Sequence, residues 1–106
     1  MKIGENRLIV VAGTFQIKPE KREAAAKFLL HVVAETKKEA GCIVYDFYAD
    51  LADSNLFHVF EEWESMTHLE AHFKTPHLAE LGKLMPDFLA GEANVKKYEV
   101  SSTAKL

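Results

Sequence analysis

Residues 42–63, CIVYDFYADLADSNLFHVFEEW, decide the fold because they contain two strand patterns separated by a short polar turn. Residues 42–50 and 56–63 are both rich in aromatic and β-branched side chains, which strands favour. The Asp, Ser and Asn residues between them are typical of turns. The stretch therefore predicts an antiparallel pair of strands near the middle of the chain.

The chain before this pair predicts a strand followed by a helix. Residues 8–17, LIVVAGTFQI, form an apolar run of strand length. Pro19 suits the first position of a helix because its fixed φ is already helical and its missing N–H is not needed there. Gly41 is a typical helix stop. Between them, apolar residues repeat at helical spacing: Ala24, Ala25, Phe28, Leu29, Val32 and Val33.

A short helix is predicted directly after the second central strand. Ser65 can accept a hydrogen bond from the first turn, so residues 66–74 should form a helix capped by its hydroxyl. The predicted inward face of this helix consists of Met66, Leu69 and Phe73. Thr75 followed by Pro76 resembles a new helix start, so the chain should change direction there.

The last predicted elements are a further helix and a strand. This helix should end near Pro86 and Gly91, and residues 93–101 have the pattern of a strand. The order β-α-β-β-α-(α)-β predicts a single α+β domain over residues 1–106, with a ferredoxin-like arrangement and a loose tail at 102–106.

Alternation along the central strands leaves apolar side chains on both faces of the predicted sheet. In the first of them, Ile43, Tyr45 and Phe47 should share one face, and Cys42, Val44 and Tyr48 the other. Each large apolar side chain left in water forfeits about 1.5–3 kcal/mol. We therefore expect a homodimer whose two sheets pack face to face as a dimeric α+β barrel.

Composition disfavours several classes of protein. The chain has 13 Lys and Arg against 16 Asp and Glu, a net charge of −3, and no basic run beyond residues 96–97. Nucleic-acid binding is therefore not expected. Cys42 is the single cysteine and cannot form an internal disulfide, and no apolar run reaches membrane-spanning length. We expect a cytoplasmic protein without a membrane partner, although residues 104–106 (AKL) loosely resemble a peroxisomal targeting tripeptide.

Residues 61–78, EEWESMTHLEAHFKTPHL, contain the only Trp and three of the five His residues. Indole, imidazole and carboxylate groups beside apolar side chains suit proton transfer on a flat, apolar substrate. Trp63 shares a strand face with Glu61 and Val59. Trp63 either fills the junction of strand and helix or walls a pocket with its N–H toward a substrate oxygen. Glu61 either makes a structural hydrogen bond or ion pair, or acts as an acid or base.

His72 and His77 are the candidate bases. His77 is predicted at the second position of its helix, where backbone N–H groups disfavour a charged ring. A neutral imidazole there could accept a phenolic proton, although either histidine could instead be a hydrogen-bonded packing residue. His68 and His72 lie four residues apart, as metal ligands can, but the segment lacks an HExxH motif. We therefore expect no metal.

Three blocks of sequence in this order and spacing resemble the antibiotic biosynthesis monooxygenase (ABM) family. They are GCIVY at 41–45, EEWES at 61–65 and HFKTPH at 72–77. Residues 62–78 are most similar to the small quinol monooxygenase-type members. The resemblance implies a dimeric ferredoxin-like barrel that oxygenates quinols or anthrones without flavin, haem or metal.

The resemblance also implies roles for particular residues. His72 or His77 would be the base, with Trp63 and Tyr45 as hydrogen-bond donors. The substrate pocket would be walled by Tyr45, Phe47, Val59 and Glu61, although the residue pattern alone favours a core position for the two aromatic residues among them. Polyketide-oxidising members have Asn, Trp, Tyr and Arg where this chain has Val59, Trp63, Leu69 and Gly82 or Lys83, so only the Trp matches.

Haem-degrading relatives match no better. They pair a strand-one Asn with the Trp, and Asn6 is a possible match. They also need a later His where this chain has about Gly82. Haem degradation is therefore not expected.

The leading hypothesis is a cofactor-independent monooxygenase that oxidises a small aromatic quinol with O₂, a histidine acting as base in an apolar pocket. Two alternatives stay open. One is an isomerase of a small phosphorylated sugar or keto substrate. The other is a non-catalytic dimer that binds small molecules.

Overall fold

Four strands form one antiparallel sheet in the computed structural model of this chain, which describes residues 7–106. The strands are β1 (Ile9–Ile17), β2 (Cys42–Ala49), β3 (Leu56–Trp63) and β4 (Leu89–Glu99), in the spatial order β2-β3-β1-β4. The helices are α1 (Arg22–Thr36), α2 (Met66–His72) and α3 (Pro76–Phe88), and a 3-10 turn (Pro19–Lys21) precedes α1. The predicted ferredoxin-like α+β fold is confirmed. Asn6 lies outside the described residues.

The strand register sets which side chains face the core. Ile9 pairs with Trp63, and Glu61 pairs with both Val11 and Tyr45. Directly paired residues point to the same face of a sheet. All five side chains are buried. On the face of the sheet where the site lies, Glu61 is therefore a buried carboxylate among buried apolar side chains.

A β-bulge changes the expected alternation at the start of β2. The register of β2 against β3 shifts between Cys42 and Val44, so that Cys42 pairs with Trp63 on the core face. Ile43 is the extra residue and is 50% exposed. The prediction that Ile43 shares a face with Tyr45, and Cys42 a face with Val44, was wrong, because a bulge inserts one residue into the period of two.

Helix α2 presents a different inward face from the predicted one. Ser65 caps the helix, as predicted, through a hydrogen bond that its hydroxyl accepts from the N–H of His68. The buried residues of α2 are Leu69 and His72, whereas Phe73 is 59% exposed. The helix ends at His72, so Phe73 lies in the following turn instead of on the helical stripe.

Strand β4 begins four residues earlier than predicted, directly after helix α3. Thr75 is the N-cap and Pro76 the first residue of α3, which continues through Pro86 and ends at Phe88. Pro86 lacks the N–H that would bond the carbonyl four residues earlier, and the helix ends two residues after it. The residues after β4 form no strand or helix and are exposed apart from the first of them.

The face of the sheet opposite the helices carries exposed apolar side chains among polar ones and is uncovered in the single chain. Tyr98 pairs with Val10, and Phe60 pairs with Ala12, on this face. Tyr98 is 48% and Phe60 36% exposed. In the described part of the chain, no helix is both long and apolar enough to cross a membrane.

Candidate functional site

The site is built around Glu39, which lies in the turn between α1 and β2. Its N–H donates to the carbonyl of Thr36 at the end of α1, which fixes the turn. Its carboxylate oxygen Oε2 lies 2.9 Å from Nδ1 of His72 and 2.6 Å from Nε2 of His77. One carboxylate therefore holds two imidazoles that belong to different helices.

The turn between α2 and α3 brings the two histidines to the same carboxylate. His72 is the last residue of α2, and the hydroxyl of Thr75 donates to the His72 carbonyl at 2.7 Å. Pro76 then starts α3, so its second residue, His77, returns toward α1. The Thr75 oxygen is also 3.3 Å from Nε2 of His77. Thr75 therefore links the backbone of one histidine to the ring of the other.

The His72 ring is packed among aromatic side chains. Its centroid lies 4.7 Å from that of Trp63 and 5.2 Å from that of Tyr45. His77 follows at 6.0 Å. Trp63 is fully buried and His72 is 1% exposed. The indole and the imidazoles converge, but the rings themselves fill the space between them, and no hydrocarbon-lined hollow remains at that point.

Trp63 uses its N–H on a neighbouring carboxyl group. The indole Nε1 donates to Oε1 of Glu61 at 2.9 Å, within the core face of β3. Burial raises the pKa of Glu61 to about 7; the Trp63 hydrogen bond opposes the rise and the charge of Glu39 adds to it. Trp63 therefore has no free donor for a substrate oxygen in this conformation.

Burial also sets the protonation of the rings beside Glu39. It lowers the pKa of His72, whereas the hydrogen bond and charge of Glu39 act to raise it. Burial, followed by the charge of Glu61, raises the pKa of Tyr45 far above its usual range. At neutral pH the buried imidazole is therefore neutral and the phenol keeps its proton.

Two openings in the helix side of the molecule differ in character. A cleft of about 350 Å³ between α1 and α3 is lined by His31, Glu35, Pro76, His77 and Glu80. A second groove, of about 190 Å³, lies between α1 and β2 and is lined mainly by apolar side chains that include Phe47 and Phe57. The groove suits a flat ring better, but only the cleft reaches the histidine pair.

Some of the predicted site residues lie together and others lie apart. The structure brings together His72, His77, Trp63 and Tyr45, with Glu61 bonded to the indole. Val59 is buried and pairs with Phe47 in the sheet, while Phe47 lines the apolar groove. Tyr45, Glu61 and Val59 are all at most 7% exposed, so their predicted contact with substrate requires the core to open. These roles stay predictions.

His68 does not join His72 in a common site. Its Nδ1 lies 2.8 Å from the hydroxyl of Ser65, and its ring packs over Gly41. His68 is also partly buried. Glu39, the carboxylate that contacts His72, was not predicted from the sequence. Its signal was an acid just beyond the end of a helix, where the helix dipole favours cations.

The fold and the segment 61–78 agree with a comparison against known families. Residues 8–84 match the family model described as antibiotic biosynthesis monooxygenase. The chain belongs to the antibiotic biosynthesis monooxygenase family. This family match covers the sheet through β3 and all residues of the Glu39, His72 and His77 cluster.

Individual relatives of this antibiotic biosynthesis monooxygenase domain agree with the assignment. The chain is 37% identical over 103 residues to sll1783 of Synechocystis, spanning 97% of the chain and 70% of that protein. It is 35% identical over 65 residues to "Probable quinol monooxygenase YgiN" of Escherichia coli, spanning 54% of this chain and 62% of that protein. A conserved protein from Methanosarcina mazei superposes with a TM-score of 0.83 at 30% identity, covering 89% of this chain and 93% of that one.

Proposed function

We propose that this protein is a cofactor-independent monooxygenase that oxidises a small aromatic quinol with O₂. The observation that carries the proposal is the contact between Glu39 and His77 at the edge of a cleft large enough for one aromatic ring. Membership of the monooxygenase family and the similarity to a protein named as a quinol monooxygenase support the same substrate class.

His77 is the proposed base because it lines the cleft. Its Nε2 faces the Glu39 carboxylate, which accepts a hydrogen bond from the N–H of that nitrogen. The lone pair of a neutral ring is then on Nδ1, and this is the atom we assign to the quinol hydroxyl. His72 is less suited to this role because it is 1% exposed.

Glu39 and the aromatic rings act as positioning residues. The carboxylate fixes the tautomer of both imidazoles, as the carboxylate of a catalytic triad does. Trp63 and Tyr45 pack against His72 and hold it under Glu39. Glu39 is 15% exposed and cannot move freely between the two rings. The pair of histidines therefore restrains the carboxylate that orients the base.

The proposed reaction needs no external reductant. Transfer of the quinol proton to Nδ1 of His77 leaves a quinolate, which passes one electron to O₂. The resulting radical pair forms a carbon–oxygen bond as a ring peroxide, which takes the proton back from Nδ1 of His77 to become a hydroperoxide. Loss of water then breaks the O–O bond to give a hydroxyquinone. Quinol and O₂ thus become hydroxyquinone and water, and the quinol supplies all four electrons. The protein must take one proton and stabilise the developing oxyanion.

Oxygen uptake tests this proposal. Reduced benzoquinols and naphthoquinols are offered to the wild type and to His77→Gln in an oxygen electrode, with product analysis for hydroxyquinone. We expect uptake above the rate of autoxidation for the wild type and a fall to near that rate for the variant. His58→Gln is the matched control, since His58 also contacts a carboxylate, that of Asp50 at 2.9 Å, but far from the cleft. Uptake equal to autoxidation across the panel refutes the proposal.

A further inference from the structure

We propose that Glu39, His72 and His77 together form a binding site for a divalent transition-metal ion of the Zn²⁺ type, whose binding excludes the base function of His77. One carboxylate oxygen and two ring nitrogens lie within 4.8 Å of one another, and this is the one such group found among the described residues. Two histidines and one carboxylate are a ligand set that Zn²⁺ uses, with a further position left open.

Two of the three distances between ligand atoms are shorter than a bound ion requires. Zn²⁺ binds nitrogen and oxygen at about 2.0–2.2 Å, so ligand atoms of a tetrahedral site lie about 3.3 Å apart. Here Oε2 of Glu39 is 2.9 Å from His72 Nδ1 and 2.6 Å from His77 Nε2. The carboxylate must therefore withdraw by several tenths of an ångström.

The surroundings provide both support and access. The His72 ring is fixed by Trp63 and Tyr45, so its Nδ1 is held toward Glu39 in the absence of an ion. The cleft that reaches His77 carries two further acids, Glu35 and Glu80. Acidic side chains at an opening raise the local concentration of cations. The cleft is therefore a path by which an ion can enter, and it leaves the fourth position open to water.

Metal binding and base function are mutually exclusive at His77. The ion takes the lone pair of Nε2, and the ring proton must then be on Nδ1, the atom proposed above to accept the quinol proton. The ion also uses the carboxylate that orients the ring. Zn²⁺ should therefore inhibit quinol oxidation. This last consequence rests on the proposed function, whereas metal binding itself does not.

Calorimetric titration of the untagged protein with Zn²⁺ tests the site without any substrate. We expect one ion per chain, with binding weakened more than about 10–100-fold in Glu39→Gln and His77→Gln, since a lost ligand costs more than a lost outer partner. His58→Gln removes a histidine from another carboxylate pair and should bind like the wild type. Wild-type binding that is absent, or that persists unchanged in both site variants, overturns the proposal.

Cobalt absorption provides a second measurement that does not depend on the variants folding. Co²⁺ bound to the wild type by two nitrogens and a carboxylate should show the visible bands of four- or five-coordinate cobalt, and excess Zn²⁺ should remove them. A spectrum of six-coordinate, water-like Co²⁺ would refute an inner-sphere site. If Zn²⁺ binds but no quinol is oxidised, the site stands and only the proposed reaction fails. If quinol is oxidised and Zn²⁺ does not bind, the proposed reaction stands and only the metal site fails.

Discussion

Glu39 Oε2 lies 2.6 Å from His77 Nε2, and the two residues are 38 positions apart in the chain. The same oxygen also contacts His72. This arrangement turns a carboxylate in a loop into the centre of the site, because it sets the proton positions on both imidazoles. Each role assigned to the site depends on that contact.

Replacing Glu39 by Gln should lower kcat for quinol oxidation about 10²-fold, near the lower end of what a positioned base contributes. The amide keeps the shape of the side chain but loses the charge that fixes the tautomer of His77. KM should change little, since Glu39 lies behind the base. Steady-state oxygen uptake measured from pH 5 to 9 should also show an altered pH profile, which a purely structural role would leave unchanged. Glu20→Gln changes an exposed residue of the 3-10 turn before α1 that does not line the cleft, and it should retain normal kcat.

The buried Glu61 predicts a specific pH dependence of stability. Its pKa is about 7 in the folded protein against 4.5 ordinarily, so the folded state binds the proton more tightly. The stabilisation from this tighter proton binding is complete below pH 4.5 and is lost as the pH rises through about 7. The loss amounts to about 3 kcal/mol.

Urea unfolding of the wild type and Glu61→Gln at several pH values measures this effect. The neutral amide can still accept the hydrogen bond from Trp63 but does not ionise. The free energy of unfolding of Glu61→Gln, relative to that of the wild type, should therefore increase between pH 5 and 8. Parallel pH profiles for the two proteins would show that Glu61 is not desolvated in the folded state.

Gly41 should tolerate no side chain. Its φ is +80°, and a Cβ atom there would overlap the ring of His68. The left-handed conformation alone costs an L-residue about 1–2 kcal/mol. Gly41→Ala should therefore lower the free energy of unfolding by about 2 kcal/mol or more, measured by denaturant unfolding. Gly82→Ala is the control, because it lies within α3 with no atom near its Cβ, and it should stabilise by about 0.5–1 kcal/mol.

The apolar open face of the sheet predicts a homodimer. The wild type should sediment at twice the chain mass at micromolar concentration. Phe60→Asp places a charge in the centre of that face and should yield monomers. Leu51→Asp changes a fully exposed residue in the β2–β3 turn and should remain dimeric. A wild type that sediments as a monomer would remove the expectation.

The sequence predicted the order of the elements well because each element has its own local signal. The capping Ser65 and the Thr75-Pro76 helix start both act within a few residues. The predicted helix stop at Gly41 was wrong, since α1 ends at Thr36. The errors in side-chain direction arose at two points in the fold. The bulge between Cys42 and Val44 depends on the partner strand, and the early end of α2 exposes Phe73.

The candidate site was less accessible to sequence reasoning. Trp63, His72 and His77 lie in one short segment and could be grouped by spacing alone. Glu39 could not, because its contacts with the histidines span 33 and 38 residues and depend on how α1 lies against α3. The filling of the space between the rings also follows from packing, which no periodicity in the sequence encodes.

The most direct test of the account is the structure of the protein with a reduced quinol bound under anaerobic conditions. Two openings compete for the ring, the polar cleft at His77 and the apolar groove at Phe47. The account predicts the quinol in the cleft, with a hydroxyl oxygen about 2.6–3.2 Å from Nδ1 of His77. A quinol bound in the groove, remote from both imidazoles, would contradict it and would favour a protein that binds aromatic molecules without turnover.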